Sequence, residues 1–325
     1  MQQRTLVEAI NNALHCVMAE DNQVVLIGED IGKEGGVFRV TEGLQELYGP
    51  QRVMDAPIAE SGIVGMALGM AVAGLRPVAE IQFMAFLYPA LDQIMNHLGR
   101  MRNRSRGRFT CPVVIRVPYG GGIHPPEHHS ESAETILAHT PGIKVVIPAT
   151  PYDAKGLLIS ALRSPDPVIF MEPERIYRAV RQEVPDGLYT VPIGAARVVQ
   201  EGTDVTMIAW GSMLREVHEA ANRLSAEGIS LEIIDLRTIS PMDVPTCIAS
   251  VQKTGRAVVV HEAPRTCGVG AEIVAQINEK ALLALEAPVE RVTGFDTVFP
   301  LPQLEHYYLP TAERVVEAVR RVLAF

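Results

Sequence analysis

Apolar residues follow two spacings along this chain, one typical of helices and one typical of buried strands. Between residues 5 and 18 they recur every three or four positions, as at Leu6, Ile10 and Val17, which predicts a helix with one buried face. The next segment, QVVLIGED, is a short apolar run and predicts a buried strand. The same alternation continues, with strands predicted at 76–83, 112–118, 143–148 and 166–173 and helices at 61–75, 86–99, 131–139 and 151–163.

The second half of the chain starts a new series of the same kind. Strands are predicted at DVTMIAWG, LEIIDL, RAVVVHE and PVERVTG, with helices near 213–227, 242–251, 270–283 and 311–323. Alternating strands and helices predict an α/β fold with mainly parallel sheets, each covered by helices on both faces. The segment VRQEVPDGLYTVPIG, rich in proline, glycine and charge, separates the halves and predicts two domains, 1–185 and 186–325.

Composition narrows the class of protein. The 325 residues suit two domains, and the net charge of −9 argues against nucleic acid and acidic membranes as main partners. Five arginines at alternate positions from 100 to 108 lack interleaved aromatics, so we interpret them as a solvated face or a subunit contact. The four cysteines are far apart and suggest neither zinc nor disulfides. We expect a cytoplasmic protein, or a processed organelle protein, without a membrane segment.

The most unusual segment is DAPIAESGIVGMALGMAVAGL at 55–75. Glu60 opens an uncharged helix in which Gly65, Gly69 and Ala73 recur every four residues and share one face. In one interpretation Glu60 only complements the helix dipole while the small residues serve packing. In the other, Glu60 is a carboxylate with a tuned pKa that moves protons where a second helix approaches closely.

A histidine-containing loop is the second candidate for chemistry. The stretch VPYGGGIHPPEHHSESAE at 117–134 contains three consecutive glycines and His124, His128 and His129. Its spacing matches no HExxH or Cys/His metal pattern, which leaves a ligand loop with acid–base histidines or an ordinary surface loop. GxGxxG, GxxxxGK[ST] and GxSxG motifs are absent, which argues against a nicotinamide Rossmann site, a P-loop NTPase and a serine hydrolase.

Ordered matches along most of the chain point to a family. VVLIGEDIG, YGPQRVMDAPIAESGIVGMALGMA, HHSES, PGIKVVIPATPYDAKGLL, IDLRTISPMD and KTGRAVVVHEAP together resemble the β subunit of the thiamine-diphosphate-dependent 2-oxo acid dehydrogenases. This is the first, decarboxylating component of the pyruvate and branched-chain complexes. The resemblance implies an N-terminal pyrimidine-binding domain, a C-terminal transketolase-type domain and an α2β2 heterotetramer.

The resemblance also assigns roles to individual residues. Glu60 matches the glutamate that hydrogen-bonds the aminopyrimidine ring and stabilises the imino tautomer, whose nitrogen removes the thiazolium C2 proton. Phe86 matches the aromatic residue packed on that ring, Ile58 a backbone contact to it, and Glu29 a neighbouring carboxylate. His129 matches the histidine facing the substrate and lipoyl channel. His124 and His128 lie in a part of the loop that varies in the family.

Two further expectations concern metal ions. The resemblance implies a monovalent cation, K+, held by backbone carbonyls; the matching positions are Val113, Ala161, Ser164 and Asp166. The chain contains no GDG segment followed 25–30 residues later by asparagine, the pattern that holds Mg2+ and diphosphate in thiamine enzymes. We therefore expect an α subunit to supply that half of the cofactor site.

The expected activity is that of an oxidoreductase that decarboxylates a 2-oxo acid and passes the acyl group to the lipoyl group of a dihydrolipoyl acyltransferase. Pyruvate is favoured, because PPEHHSES and TPYDAKGLL resemble the bacterial pyruvate type. Branched-chain 2-oxo acids and acetoin remain alternatives, since discrimination by a methyl group or two is worth only ~1–3 kcal/mol. A non-catalytic scaffold subunit is the alternative from another class.

Overall fold

The computed structural model describes residues 1–325 and divides them into two compact units. The first unit comprises residues 1–119 and 136–193, and the second comprises 120–135 and 194–325. The chain passes from one unit to the other at residue 193, within the proline- and glycine-rich segment. The histidine-containing loop, although it lies in the first half of the sequence, groups with the second unit.

The first unit is built on parallel strands. Its strands are β1 (Gln2–Arg4), β2 (Val24–Gly28), β3 (Val53–Asp55), β4 (Arg76–Glu80), β5 (Val114–Tyr119), β6 (Lys144–Val146), β7 (Val168–Pro173) and β8 (Gln182–Val184). Six of them lie in the order β6-β7-β5-β4-β2-β3 with every neighbouring pair parallel, while β1 and β8 form a separate antiparallel pair. The predicted parallel sheet is confirmed.

Helices cover the sheet. Up to residue 193 they are α1 (Leu6–Glu20), α2 (Leu44–Tyr48), α3 (Glu60–Val72), α4 (Met101–Arg104), α5 (Glu134–Ala138) and α6 (Pro151–Leu162). Helix α1 begins where predicted, because Thr5 accepts a hydrogen bond from the backbone of Glu8 and the Glu8 side chain accepts one from Thr5. Its apolar face lies in one core with α6 and the sheet.

Two predicted helices differ from the structure. The predicted helix 86–99 is a 3₁₀ segment, Met84–Ala90, followed by a π-helical segment, Gln93–Leu98. Pro89 lies inside the first of these and has no N–H to donate, so regular α-helical hydrogen bonding fails there. The predicted helix 131–139 is reduced to the five residues of α5.

The second unit repeats the architecture with a smaller sheet. Its strands are β9 (Arg197–Gln200), β10 (Val205–Ala209), β11 (Leu231–Asp235), β12 (Thr238–Ser240), β13 (Ala257–Pro264) and β14 (Glu290–Gly294), and its helices are α7 (Met213–Ser225), α8 (Val244–Thr254), α9 (Val269–Ala281), α10 (Glu305–Tyr308) and α11 (Ala312–Leu323). Five strands lie in the order β14-β13-β10-β11-β9, and only β9 is antiparallel to its neighbour. None of the helices of the chain combines the length and apolar character that a membrane crossing requires.

A buried charge network crosses the first sheet. Arg116 on β5 makes a two-pronged contact with Glu172 on β7, at 2.7 and 2.9 Å, and also pairs with Glu80 on β4. The hydroxyl of Tyr177 donates to Glu172 at 2.6 Å. Two carboxylates therefore share one guanidinium in the interior, and removing that guanidinium would leave both uncompensated.

Candidate active site

Three of the residues singled out from the sequence follow neighbouring strands of the first sheet. Glu29 comes directly after β2, Glu60 lies after β3, and Phe86 lies after β4. Strand β2 is paired in parallel with β3 on one side and β4 on the other. Carboxyl ends of parallel strands meet at one edge of a sheet, where α/β folds bind their ligands, so the topology brings these residues to one edge.

The two carboxylates at this edge influence one another. Burial raises the pKa of Glu29 above its usual value, and the negative charges of Asp30 and Glu60 raise it further. Glu60 is the first residue of α3 and is half-buried. Its carboxylate makes no hydrogen bond or ion pair with the rest of the chain. A half-buried carboxylate with no partner in its own chain is available to a ligand.

The loop after β2 is fixed by the end of β3. Asp55 accepts hydrogen bonds from the backbone N–H groups of Gly32 at 2.6 Å and Lys33 at 3.3 Å. A Cβ atom at Gly32 would lie only 2.6 Å from the Asp55 carboxylate, so this close approach requires glycine. Asp55 was not identified from the sequence as part of the site, although it opens the unusual segment. It holds the loop that begins at Glu29.

Phe86 lies at the surface of an aromatic cluster. Its ring contacts Phe83 edge to face at 5.7 Å between centroids, and Phe83 contacts Phe38 in the same way at 5.5 Å. Phe83 is buried whereas Phe86 is half-buried, so Phe86 is the more exposed of these two rings. The hydroxyl of Ser61, in the first turn of α3, donates to the carbonyl of Pro89 and ties this helix to the segment that carries Phe86.

The start of α3 presents an open apolar surface. Ile58 is 76% exposed, and Met66 is also exposed. Gly62 and Gly69 are exposed on the same helix, and a Cβ atom built at Gly69 would meet nothing within 4 Å. The repeated small residues thus leave part of α3 uncovered within this chain, and another backbone can approach that face closely.

The second unit contains His129 together with the other two histidines of its loop. Nδ1 of His129 lies 2.8 Å from the carbonyl of Glu127, and Nδ1 of His128 lies 3.1 Å from Glu131. His124 lies 2.6 Å from Glu305. Each imidazole thus engages a different group, and no set of three or more His, Cys, Asp or Glu side chains is arranged to hold a metal ion.

Sequence reasoning missed a group of buried carboxylates in the second unit: Glu134, Glu262 and Glu305. All three are nearly or fully inaccessible to solvent. Burial raises the pKa of Glu134 to about 7, an effect that the Trp210 side chain offsets only in part. For Glu262 the available signal was a glutamate inside the strand-like run AVVVHEAP, since charged residues are rarely buried without a specific partner.

The positions expected to hold a monovalent cation take part in hydrogen bonds within the chain. The carbonyl of Val113 accepts from the N–H of Val168 at 2.9 Å, and that of Ala161 accepts from the N–H of Ser164 at 3.0 Å. The hydroxyl of Ser164 donates to the carbonyl of Asp166 at 2.8 Å and accepts from Nζ of Lys144 at 3.0 Å. An ammonium group of the chain itself therefore contacts Ser164, and the monovalent cation stays a prediction.

Two protein families match successive parts of the chain. Residues 2–180 match the family "Transketolase, pyrimidine binding domain", and residues 194–315 match "Transketolase, C-terminal domain". The chain is 56% identical over 318 residues to "Pyruvate dehydrogenase E1 component subunit beta" of Acholeplasma laidlawii. The match covers 98% of this chain and 97% of that protein. It is 54% identical over 325 residues to the protein of the same name from Bacillus subtilis, with all of both chains covered.

The chain belongs to the β subunits of the pyruvate dehydrogenase E1 component. The family inferred from the sequence is thereby confirmed. Among solved structures, "Split gene transketolase, inactive beta4 tetramer" matches with a TM-score of 0.81 and 25% identity over 99% of both chains. This likeness agrees with the two α/β units described above.

Thiamine diphosphate is the cofactor that this family and its pyrimidine-binding domain imply. The edge formed by β4, β2 and β3 fits the aminopyrimidine part of that molecule. It offers one carboxylate without a partner, at Glu60, and a half-buried aromatic ring, at Phe86. The aminopyrimidine has a polar ring nitrogen, which a carboxyl group can hydrogen-bond, and a flat face, on which an aromatic ring can pack.

Proposed function

We propose that this chain is the catalytic β subunit of a pyruvate dehydrogenase E1 component. The observation that carries the proposal is Glu60, a half-buried carboxylate without a partner, at the strand edge that also presents Phe86. Relatives named for this enzyme are 52–56% identical over nearly the full chain and support the proposal. A pure scaffold subunit needs no carboxylate kept free at such an edge.

Each residue of the edge has a distinct task in this proposal. Thiamine diphosphate, when bound, supplies the nucleophilic carbon and the electron sink for decarboxylation of a 2-oxo acid. Glu60 holds a proton at a ring nitrogen of the aminopyrimidine, Phe86 packs on the ring, and Ile58 contributes a backbone contact. Burial and the neighbouring charges of Asp30 and Glu60 raise the pKa of Glu29, which is the second carboxyl group at this edge.

An α subunit completes the site in this proposal. The chain has no diphosphate- and Mg2+-binding segment of the thiamine-enzyme type, so the partner subunit supplies that half. The uncovered face of α3, with Gly62, Met66 and Gly69, is a suitable surface for a partner helix, because small residues allow close backbone approach. We propose an α2β2 heterotetramer in which α3 lies at a subunit contact.

The favoured substrate is pyruvate, and the acceptor is the lipoyl group of a dihydrolipoyl acyltransferase. His129 is proposed to stabilise charge or donate a proton during acyl transfer to the lipoyl dithiolane. Branched-chain 2-oxo acids and acetoin are the alternative substrates. Steady-state rates of the reconstituted α/β pair with pyruvate, 3-methyl-2-oxobutanoate and acetoin, measured with a dye acceptor, rank the three directly.

The decisive experiment replaces Glu60 with glutamine in the reconstituted α/β pair. We expect dye-linked decarboxylation of pyruvate to fall at least ~100-fold, because the amide cannot hold or return the proton. Glu46→Gln is the matched control, since Glu46 is an exposed acidic residue in the first turn of a helix of the same unit. Unchanged decarboxylation in the Glu60 variant would reject the catalytic assignment and leave the scaffold alternative.

A further inference from the structure

The glycine stretch before the histidines is bound to two buried carboxylates of the second unit. The backbone N–H of Gly121 donates to Oε1 of Glu262, and that of Gly122 donates to Oε1 of Glu305. Glu262 is 3% exposed on strand β13, and Glu305 is 1% exposed at the start of α10. Two consecutive glycine N–H groups therefore have their acceptors on side chains far away in the sequence, and both contacts restrain the stretch.

Glycine is required for this arrangement. Gly120 and Gly122 have φ angles of +88° and +104°, in the region that side chains disfavour. A Cβ atom at Gly120 would lie 2.9 Å from the Glu262 carboxylate, and one at Gly121 would overlap the ring of Phe299. The backbone can approach the two carboxylates only because these residues have no side chains.

The second oxygen of each carboxylate has a different environment. The hydroxyl of Ser212 donates to Oε2 of Glu262 at 3.0 Å. Oε2 of Glu305 lies 2.6 Å from Nδ1 of His124, an ion-pair distance when the imidazole is protonated. Glu262 thus uses one oxygen for the glycine stretch and the other for Ser212, whereas Oε2 of Glu305 is buried without a hydrogen-bond partner and has only the imidazole of His124 nearby.

Another hydrogen bond of the glycine stretch closes the loop that carries the histidines. The N–H of Gly120 donates to the carbonyl of Glu131 at 3.2 Å, which joins the two ends of residues 120–131. Glu131 also lies 3.1 Å from His128. His129 therefore lies in a closed loop whose first end is fixed by Glu262 and Glu305.

We propose that Glu262 and Glu305 are positioning residues for acyl transfer, which act by holding this loop so that His129 faces the lipoyl-bearing partner. The inference rests on the proposed function and adds to it two residues that touch neither substrate nor cofactor. Without the two carboxylates, the N–H groups of Gly121 and Gly122 lose their acceptors, and the loop samples other conformations.

The test compares two activities of the reconstituted α/β pair. Dye-linked decarboxylation does not require the lipoyl acceptor, whereas reductive acylation of a lipoyl domain does. We expect Glu262→Ala and Glu305→Ala to reduce acylation at least ~10-fold more than decarboxylation, because each leaves a backbone N–H of the glycine stretch without its acceptor. Glu262→Gln should recover most of the acylation rate, since its amide oxygen still accepts from Gly121. Equal losses in both assays would overturn the proposal.

Glu232→Ala is the matched control. Glu232 is a buried carboxylate of the same unit that accepts from the backbone N–H of Gly202 and pairs with Lys253, and it makes no contact with the loop. This variant should keep the wild-type ratio of acylation to decarboxylation. If it lowers that ratio as Glu262→Ala does, general loosening of the unit explains the effect and the proposal fails.

Two further measurements keep the proposal testable if an alanine variant fails to assemble. Amide hydrogen exchange in the wild-type heterotetramer should show protected N–H groups at Gly121 and Gly122, and rapid exchange there would contradict the inference. Whichever of Glu262→Ala and Glu305→Ala assembles should, combined with His129→Ala, acylate no more slowly than His129→Ala alone, because both changes act through one imidazole. Additive losses would contradict it as well.

Failure of this inference can be distinguished from failure of the proposed function. If Glu60→Gln leaves decarboxylation unchanged, the proposed function is wrong whatever the loop variants do. If Glu60→Gln abolishes decarboxylation while Glu262→Ala and Glu305→Ala acylate the lipoyl domain normally, the function stands and the positioning role is wrong.

Discussion

The buried carboxyl group of Glu134 makes the stability of the protein depend on pH. Both of its oxygens are buried without a hydrogen-bond partner of ordinary geometry, and burial raises its pKa from 4.5 to about 7. The folded protein therefore binds this proton more tightly than the unfolded chain does. The resulting stabilisation is complete below pH 4.5 and is lost as the pH rises through 7. The shift in pKa corresponds to about 3 kcal/mol.

Replacing Glu134 with glutamine retains the shape of the side chain and removes the titration. We expect the variant and the wild type to have similar free energies of unfolding at pH 4.5. At pH 8.5 the variant should be more stable by about 3 kcal/mol, because it does not have to bury a charge or take up a proton. Urea unfolding at the two pH values measures this difference, and the melting temperature should differ by on the order of 5 °C at pH 8.5.

Glu232→Gln is a control of opposite sign. Burial alone would raise the pKa of Glu232, but hydrogen bonds from Lys253, Ser250 and Gly202 outweigh burial and lower it. Its charged form stabilises the fold, so the glutamine variant should be less stable than the wild type at pH 8.5. The test compares the difference in free energy of unfolding between Glu134→Gln and the wild type at the two pH values. If that difference is the same at both, or favours the variant more at pH 4.5, the reasoning for Glu134 is refuted.

Two other predictions concern buried or partly buried cations of the first unit. Arg116→Met should lower the free energy of unfolding by about 3–5 kcal/mol in urea, because it leaves Glu80 and Glu172 buried without their guanidinium. Lys144→Met should make the melting temperature rise more with KCl than that of the wild type, because the ammonium that contacts Ser164 is removed.

Each of these predictions has a control. Arg102→Met removes an exposed ion pair with Asp166 and should lower the free energy of unfolding by less than ~1 kcal/mol. If Arg116→Met lowers it by no more than that, the argument from burial is contradicted. For Lys144→Met, the control salt is LiCl at equal ionic strength. If the melting temperature of Lys144→Met rises equally with both salts, or with neither, a site selective for K+ beside Ser164 is rejected.

Much of the fold could be predicted because each element satisfies local rules. Helix α1 begins at a capping box that can be read from the sequence, and the apolar run VVLIG forms β2, which is buried over its whole length. The prediction of an α-helix at 86–99 was wrong, because tertiary packing accommodates Pro89 through a 3₁₀ segment and a π-helical segment. Short strands such as β9 and β12 were missed because they contain too few apolar positions to show a period.

The candidate site was predicted less completely than the fold. Glu60 and Phe86 were identified because they lie in unusual segments that match a family, and the parallel pairing of β2 with β3 and β4 explains why they share an edge with Glu29. Glu262 and Glu305 were missed. They are separated from the glycine stretch by more than 140 residues, and a glutamate near the end of a strand or at the start of a short helix is common in sequences.

The sequence by itself determined the α/β class, the presence of two series of strands and helices, the family, and the identity of Glu60 and His129 as candidates. These properties follow from local periodicity and from motifs that are continuous in the chain. Only the tertiary structure decided that the histidine-containing loop belongs to the second unit and that its glycines contact Glu262 and Glu305. A buried charge acquires its partner only when distant segments fold together, so neither its pKa nor its role can be read from neighbouring residues.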